Sequence, residues 1–176
     1  MALFLIILSG LLWLFSFWLL RGRQLGAPVL SFVALVVISL AKSNGYQLLP
    51  INLTMLSGWL CMTLVVTFAC WLQPAVLRSQ SKGWGYMLVG ALTGMVVGLL
   101  GPSFGAAGLS IQNGVMIIAT VIGIFLGFLL YTRTPDGRPI APGSGYFFKY
   151  LLAKGFPTAI SVMQLGVTLL LVIAVH

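Results

Sequence analysis

With 176 residues, 60% of them hydrophobic and 6% charged, and a mean hydropathy of +1.14, the chain is not a soluble domain, which would carry about 25% charged residues. It reads as an all-α polytopic membrane protein, a single integral membrane domain over residues 1–176. The net charge of +8 does not mark a nucleic-acid binder, because the basic residues are scattered over short loops beside apolar stretches, where membrane insertion favours them.

A membrane-crossing helix needs about 17–25 apolar residues. Six segments qualify, at 2–20, 25–41, 52–72, 85–101, 109–131 and 157–175, the second and fourth close to the lower limit. The first begins with no preceding positive charge and is followed by Arg21-Gly22-Arg23. A secretory signal has the opposite order, so this segment reads as an uncleaved span with its N-terminus outside. Between the second and third segments, Asn44-Gly45 and Pro50 signal turns. Asn52-Leu53-Thr54 has the form of a glycosylation sequon, but it abuts a span and reads as a chance match. Cys61 and Cys70 share the third segment. Nine residues of helix separate them by about 13 Å, too far for a disulfide, and both read as small buried apolar residues.

Glycine sets the pattern from Trp84 to Thr132. Gly90, Gly94 and Gly98 recur every four residues, as do Ala119, Gly123 and Gly127. At helical pitch each trio lies on one stripe. In water such glycines weaken a helix by about 1 kcal/mol each relative to alanine. In lipid, small residues at this spacing let two backbones approach closely. Segments 85–101 and 109–131 are therefore expected to pack as a glycine-zipper hairpin, broken at Gly101-Pro102-Ser103-Phe104-Gly105. Ser110, Gln112 and Asn113 follow the break, and either line an entrance or cap the fifth helix.

The longest loop is 132–156, expected on the cytoplasmic side. Pro135, Pro139 and Pro142 keep its first half out of a helix interior, and Pro135-Asp136-Gly137 signals a turn. The run Tyr146 to Lys154 is expected in the membrane interface, ended by Gly155 and Pro157. Asp136 reads as a turn residue in a local ion pair with Arg133 or Arg138. Arg133, Arg138, Lys149 and Lys154 form a candidate surface for lipid headgroups, each basic residue contributing about 1 kcal/mol beside an anionic membrane.

Alternate loops carry Arg21, Arg23, Arg78, Lys82, Arg133, Arg138, Lys149 and Lys154, leaving only Lys42 on the other side. This asymmetry predicts a multi-pass protein with both termini outside, in the cytoplasmic membrane if the source is bacterial. Trp18, Trp71, Trp84, Tyr86 and Tyr131 fall at the expected inner span ends, the headgroup level that amphipathic rings prefer. One aspartate and one histidine, Asp136 and His176, exclude paired-carboxylate catalysis. With Cys61 and Cys70 they are too dispersed for a zinc site. No catalytic residue, metal or cofactor is expected.

The segments carry no ionisable group well inside, which argues against proton coupling through a buried carboxylate. Their polar residues include Ser9, Ser16, Thr63, Thr67, Thr93, Thr120, Ser161, Gln164 and Thr168, of which Gln164 is the most polar and reads first as an interhelical hydrogen bond. The leading expectation is a non-catalytic membrane subunit whose glycine stripes pack against a second copy or a larger membrane complex, with membrane lipids as further partners and no nucleic acid. The alternative is a channel or transporter for a small uncharged or anionic solute, with Gly101, Gly105, Gln112, Asn113 and Gln164 along its path. A lipid-handling enzyme using the basic loop ranks third.

Overall fold

The structure, a computed structural model, describes residues 2–22, 26–43, 46–47, 51–79, 82–101, 105–140, 142 and 144–175. Met1, Arg23, the Asn44-Gly45 turn, Pro50, the Pro102–Phe104 part of the expected break and His176 lie outside the described residues. The helices are α1 (Ala2–Arg21), α2 (Ala27–Ser39), α3 (Leu53–Trp71), α4 (Ala75–Ser79), α5 (Trp84–Leu99), α6 (Gly105–Thr132), α7 (Phe147–Tyr150) and α8 (Phe156–Val175). Between α2 and α3, the two-residue strands β1 (Lys42–Ser43) and β2 (Tyr46–Gln47) pair antiparallel, with Lys42 opposite Gln47. The architecture is all-α, and each expected apolar segment carries a helix.

Four helical stretches are long and apolar enough to cross a membrane: Leu3–Arg21, Leu53–Trp71, Gln112–Thr132 and Phe147–Val172. They mark a multi-pass membrane protein. The other two expected segments are shorter. α2 has 13 residues and α5 has 16, which extend about 20 and 24 Å, less than a hydrocarbon core of roughly 30 Å. α2 starts with proline in its first turn, where the missing N–H has no helical partner to lose. α5 starts after Gly83, whose φ of +79° is left-handed backbone that glycine adopts without strain. A side chain on Gly83 would also overlap the Tyr131 ring.

Neighbouring helices pair antiparallel. Ser9 Oγ donates to Ala34 O at 3.0 Å and Ser16 Oγ to Ala27 O at 2.8 Å, which ties α1 along α2. α8 lies among α1, α2, α3, α5 and α6. In an 18-residue apolar run within Phe147–Val172, 78% of the residues are buried, against 22% in the corresponding run of Leu3–Arg21, so α8 is the axis and α1 a wall. The outward faces are apolar, with Leu14, Leu53, Phe68, Val89 and Leu126 exposed, as a lipid solvent permits.

Two local expectations are corrected. Tyr146 to Lys154 is not a separate interfacial element stopped by Gly155 and Pro157. α7 runs into a π-helical turn, Leu151–Gly155, and then directly into α8. Pro157 has no N–H for Ala153 O, its partner in an α-helix. The π turn closes instead through Phe156 N–H to Leu151 O, and the chain passes the proline without stopping. Tyr131 is buried near the end of α6, with its ring 5.7 Å from that of Tyr86. Of the cysteines, only Cys70 is buried and Cys61 is exposed, because nine residues make two and a half helical turns and put them on opposite faces.

Candidate functional site

The polar side chains of α8 and the π turn before it share one face. Lys154, Thr158, Ser161, Gln164 and Thr168 are spaced by three or four residues, and each is buried. At 100° per residue they fall within about a third of the helix circumference. Halfway along, this face meets α2 and α3. Ser31 Oγ donates to Gln164 Oε1 at 2.6 Å and lies 3.2 Å from Ser161 Oγ. Gln164 Nε2 donates to Thr63 Oγ1 at 2.8 Å, and Thr63 Oγ1 donates to Trp59 O at 2.7 Å. A buried amide costs free energy unless its donors and acceptor are engaged. Here α2 supplies the donor for Gln164 Oε1 and α3 the acceptor for Gln164 Nε2, which fixes three helices in one register.

At the end of α8 that follows the π turn, the polar face is different. Cys70 Sγ donates to Ala153 O at 3.5 Å, the carbonyl that Pro157 leaves without its α-helical donor. Thr158 Oγ1 donates to Lys154 O at 2.8 Å. Lys154 is fully buried, yet among the described residues its Nζ has no hydrogen-bond partner, and neither has Arg78 Nε. α4, which carries Arg78, packs over the π turn.

The α5–α6 seam is the second feature. A methyl group on Gly90 would overlap Gly123 O, one on Gly94 would overlap Ala119 O, and one on Gly127 would overlap Tyr86 O. A methyl on Gly98 would overlap Met116 Cα. The two backbones therefore touch along the seam. On its outer side lies a groove of about 690 Å³ with a glycine floor, walled by Val89, Thr93 and Val97 of α5 and Ile122, Leu126 and Leu130 of α6. The Thr93 hydroxyl donates to Val89 O at 2.8 Å, so it turns onto its own helix and the groove is apolar.

The other expected site residues are dispersed. Arg133, Arg138 and Lys149 are exposed, whereas Lys154 is buried. Asp136 pairs with Lys82 at 3.8 Å, not with Arg133 or Arg138. Gly101 N–H donates to Gly98 O at 3.3 Å, and Gly105 opens α6. Gln112 Nε2 donates to Leu99 O at 2.8 Å and so caps the end of α5 rather than the start of α6. Asn113 Oδ1 is buried without a partner among the described residues. Gln112 and Gln164 thus serve different helix pairs. Among the described residues no three His, Cys, Asp or Glu side chains come together to hold a metal.

The convergence of Lys154, Arg78 and Cys70 was not read from the sequence. Its signal was the spacing of Lys154, Thr158 and Ser161, which extends the polar face of the last span backwards through Pro157. Comparison with protein families, curated proteins and solved structures found no match.

Proposed function

We propose that the protein is a non-catalytic integral membrane subunit that packs, through the outer face of the α5–α6 pair, against a second copy of itself or a larger membrane complex. The groove between Val89, Thr93 and Val97 on one side and Ile122, Leu126 and Leu130 on the other carries this reading. Its glycine floor acts as a zipper that holds α5 and α6 at backbone contact, so the pair presents a stiff, recessed apolar surface. Association of helices in lipid depends on such close packing, since burial from lipid supplies no hydrophobic drive. The charge distribution supports six spans with both termini outside, since Lys42 is the one basic residue apart from the alternate loops. The shortage of acids and of histidine supports the absence of catalysis.

Photo-crosslinking in native membranes tests the reading. A photoreactive side chain at Thr93 or Ile122 should give protein adducts, while one at Leu14 on α1, which is 69% exposed, should give lipid adducts. Lipid adducts alone at all three positions would sink the proposal.

A second reading, transport of a small neutral solute, is favoured by the buried layer of Ser31, Ser161, Gln164 and Thr63. Reconstituted vesicles should then take up such a solute, and Gln164→Leu should abolish the uptake. No uptake across a panel of neutral solutes counts against it.

A further inference from the structure

The cations around Cys70 carry an inference independent of the groove and its partner, resting only on the chain being in a membrane. Lys154 is completely buried and its Nζ has no partner among the described residues. A buried ammonium without a counter-charge is strongly disfavoured. The chain cannot supply that charge easily, because its one acidic side chain, Asp136, lies against Lys82. Arg78 is half-buried, and its Nε is likewise without a partner. The two groups come from different elements, Arg78 from α4 and Lys154 from the π turn beneath it. Cys70 bonds the carbonyl of Ala153, the residue before Lys154.

We propose that Lys154 and Arg78 form a binding site for a phosphate group, supplied by the headgroup of an anionic phospholipid. Two free phosphodiester oxygens match one ammonium and one guanidinium, and charge-assisted hydrogen bonds of this kind are the stronger ones. The position suits a lipid. Lys154 directly precedes the apolar run of α8, at the level where a headgroup meets hydrocarbon. At the end of α3 and on α4, Phe68, Trp71, Leu72 and Val76 are exposed, an apolar surface against which acyl chains can lie. Arg78 is half-buried and Lys154 fully buried under α4, so admitting the phosphate requires α4 to shift. The lysine thereby gains the counter-charge that the chain lacks.

The experiment uses the full-length protein in a mild uncharged detergent. Its melting temperature is measured with added phosphatidylglycerol, with phosphatidylcholine and with inorganic phosphate. Phosphatidylglycerol should raise it by roughly 3–6 °C, with little effect from the other two. An equal rise with inorganic phosphate would support the anion site and make free phosphate its source. An equal rise with phosphatidylcholine would overturn the proposal, since zwitterionic lipid would then do as well. Lys154→Met removes the buried amine and should abolish the phosphatidylglycerol increment while leaving the basal melting temperature equal or higher. If that variant fails to fold, Arg78→Gln carries the test and should cut the increment by at least half. An undiminished increment in either folded variant overturns the site.

Discussion

The thiol of Cys70 donates to Ala153 O, the carbonyl that Pro157 leaves without its α-helical donor. Pro157 on α8 withholds a backbone donor, and the Cys70 thiol on α3 supplies a weak one in its place. Cys70→Ala would remove the donor and leave a small void, so it should destabilise the protein by about 1–2 kcal/mol. Cys70→Ser keeps a donor and should lose less. Thermal unfolding in detergent gives the order of the three proteins. A Cys70→Ala protein as stable as the parent would show that Ala153 O is satisfied another way.

At the α5–α6 seam, even one methyl group is too large. Gly94→Ala and Gly123→Ala should each destabilise by about 1–3 kcal/mol through overpacking, despite the better helix propensity of alanine. Gly58 on α3 provides the contrast, because a methyl there meets nothing within 4 Å. Gly58→Ala should be neutral or stabilising. The double variant at Gly94 and Gly123 should fall short of additivity, since both act on one interface. If Gly94→Ala melts with the parent, α5 and α6 are not in backbone contact in the membrane mimetic used.

Replacing Gln164 separates hydrogen bonding from volume. In Gln164→Leu, the Ser31 hydroxyl still has Pro28 O at 2.9 Å and Thr63 keeps its bond to Trp59 O. The loss should therefore be near the average for interhelical hydrogen bonds in membranes, about 0.6 kcal/mol each. Gln164→Ala adds a void and should cost roughly 2 kcal/mol or more. Equal losses in denaturation experiments would mean that the hydrogen bonds, not the packing, hold α8 in place.

Lys82 and Asp136 are each about 70% exposed at the side chain, with 71% and 68% respectively. Ion pairs in such settings contribute about 0–1 kcal/mol. Asp136→Asn should leave the melting temperature nearly unchanged, and moderate salt should have as little effect. A large drop would assign this aspartate a role beyond a surface turn.

The long helices were legible in the sequence because their apolar runs are bounded by glycine, proline and charge, and those limits act locally. Their enclosure was not. The hydropathy of segments 2–20 and 157–175 is similar in kind, yet α1 lies at the edge and α8 at the centre, since enclosure depends on how many neighbours a helix has. Lys154 shows the same limit. Its sequence neighbours read as a basic loop, and only the π turn that carries the chain past Pro157 sets it inside. The cysteines were legible from spacing alone. Their nine-residue spacing already put Cys61 and Cys70 on opposite faces, so an outer helix buries one of them at most.

The helix at the centre of this bundle comes after the five that surround it in chain order. α1 with α2, and α5 with α6, are hairpins whose partners are close in sequence and can pair as soon as both members emerge from synthesis. The slot between them has to wait. Until α8 arrives, Ser31 and Thr63 can bond only to carbonyls of their own helices, and Ala153 O has no thiol facing it. Assembly is therefore a matter of closure: prefabricated pairs stand around a vacancy, and one late, polar-striped helix must enter it in the register that Gln164 dictates. A ribosome stalled before residue 156 would leave a set of walls without their keystone.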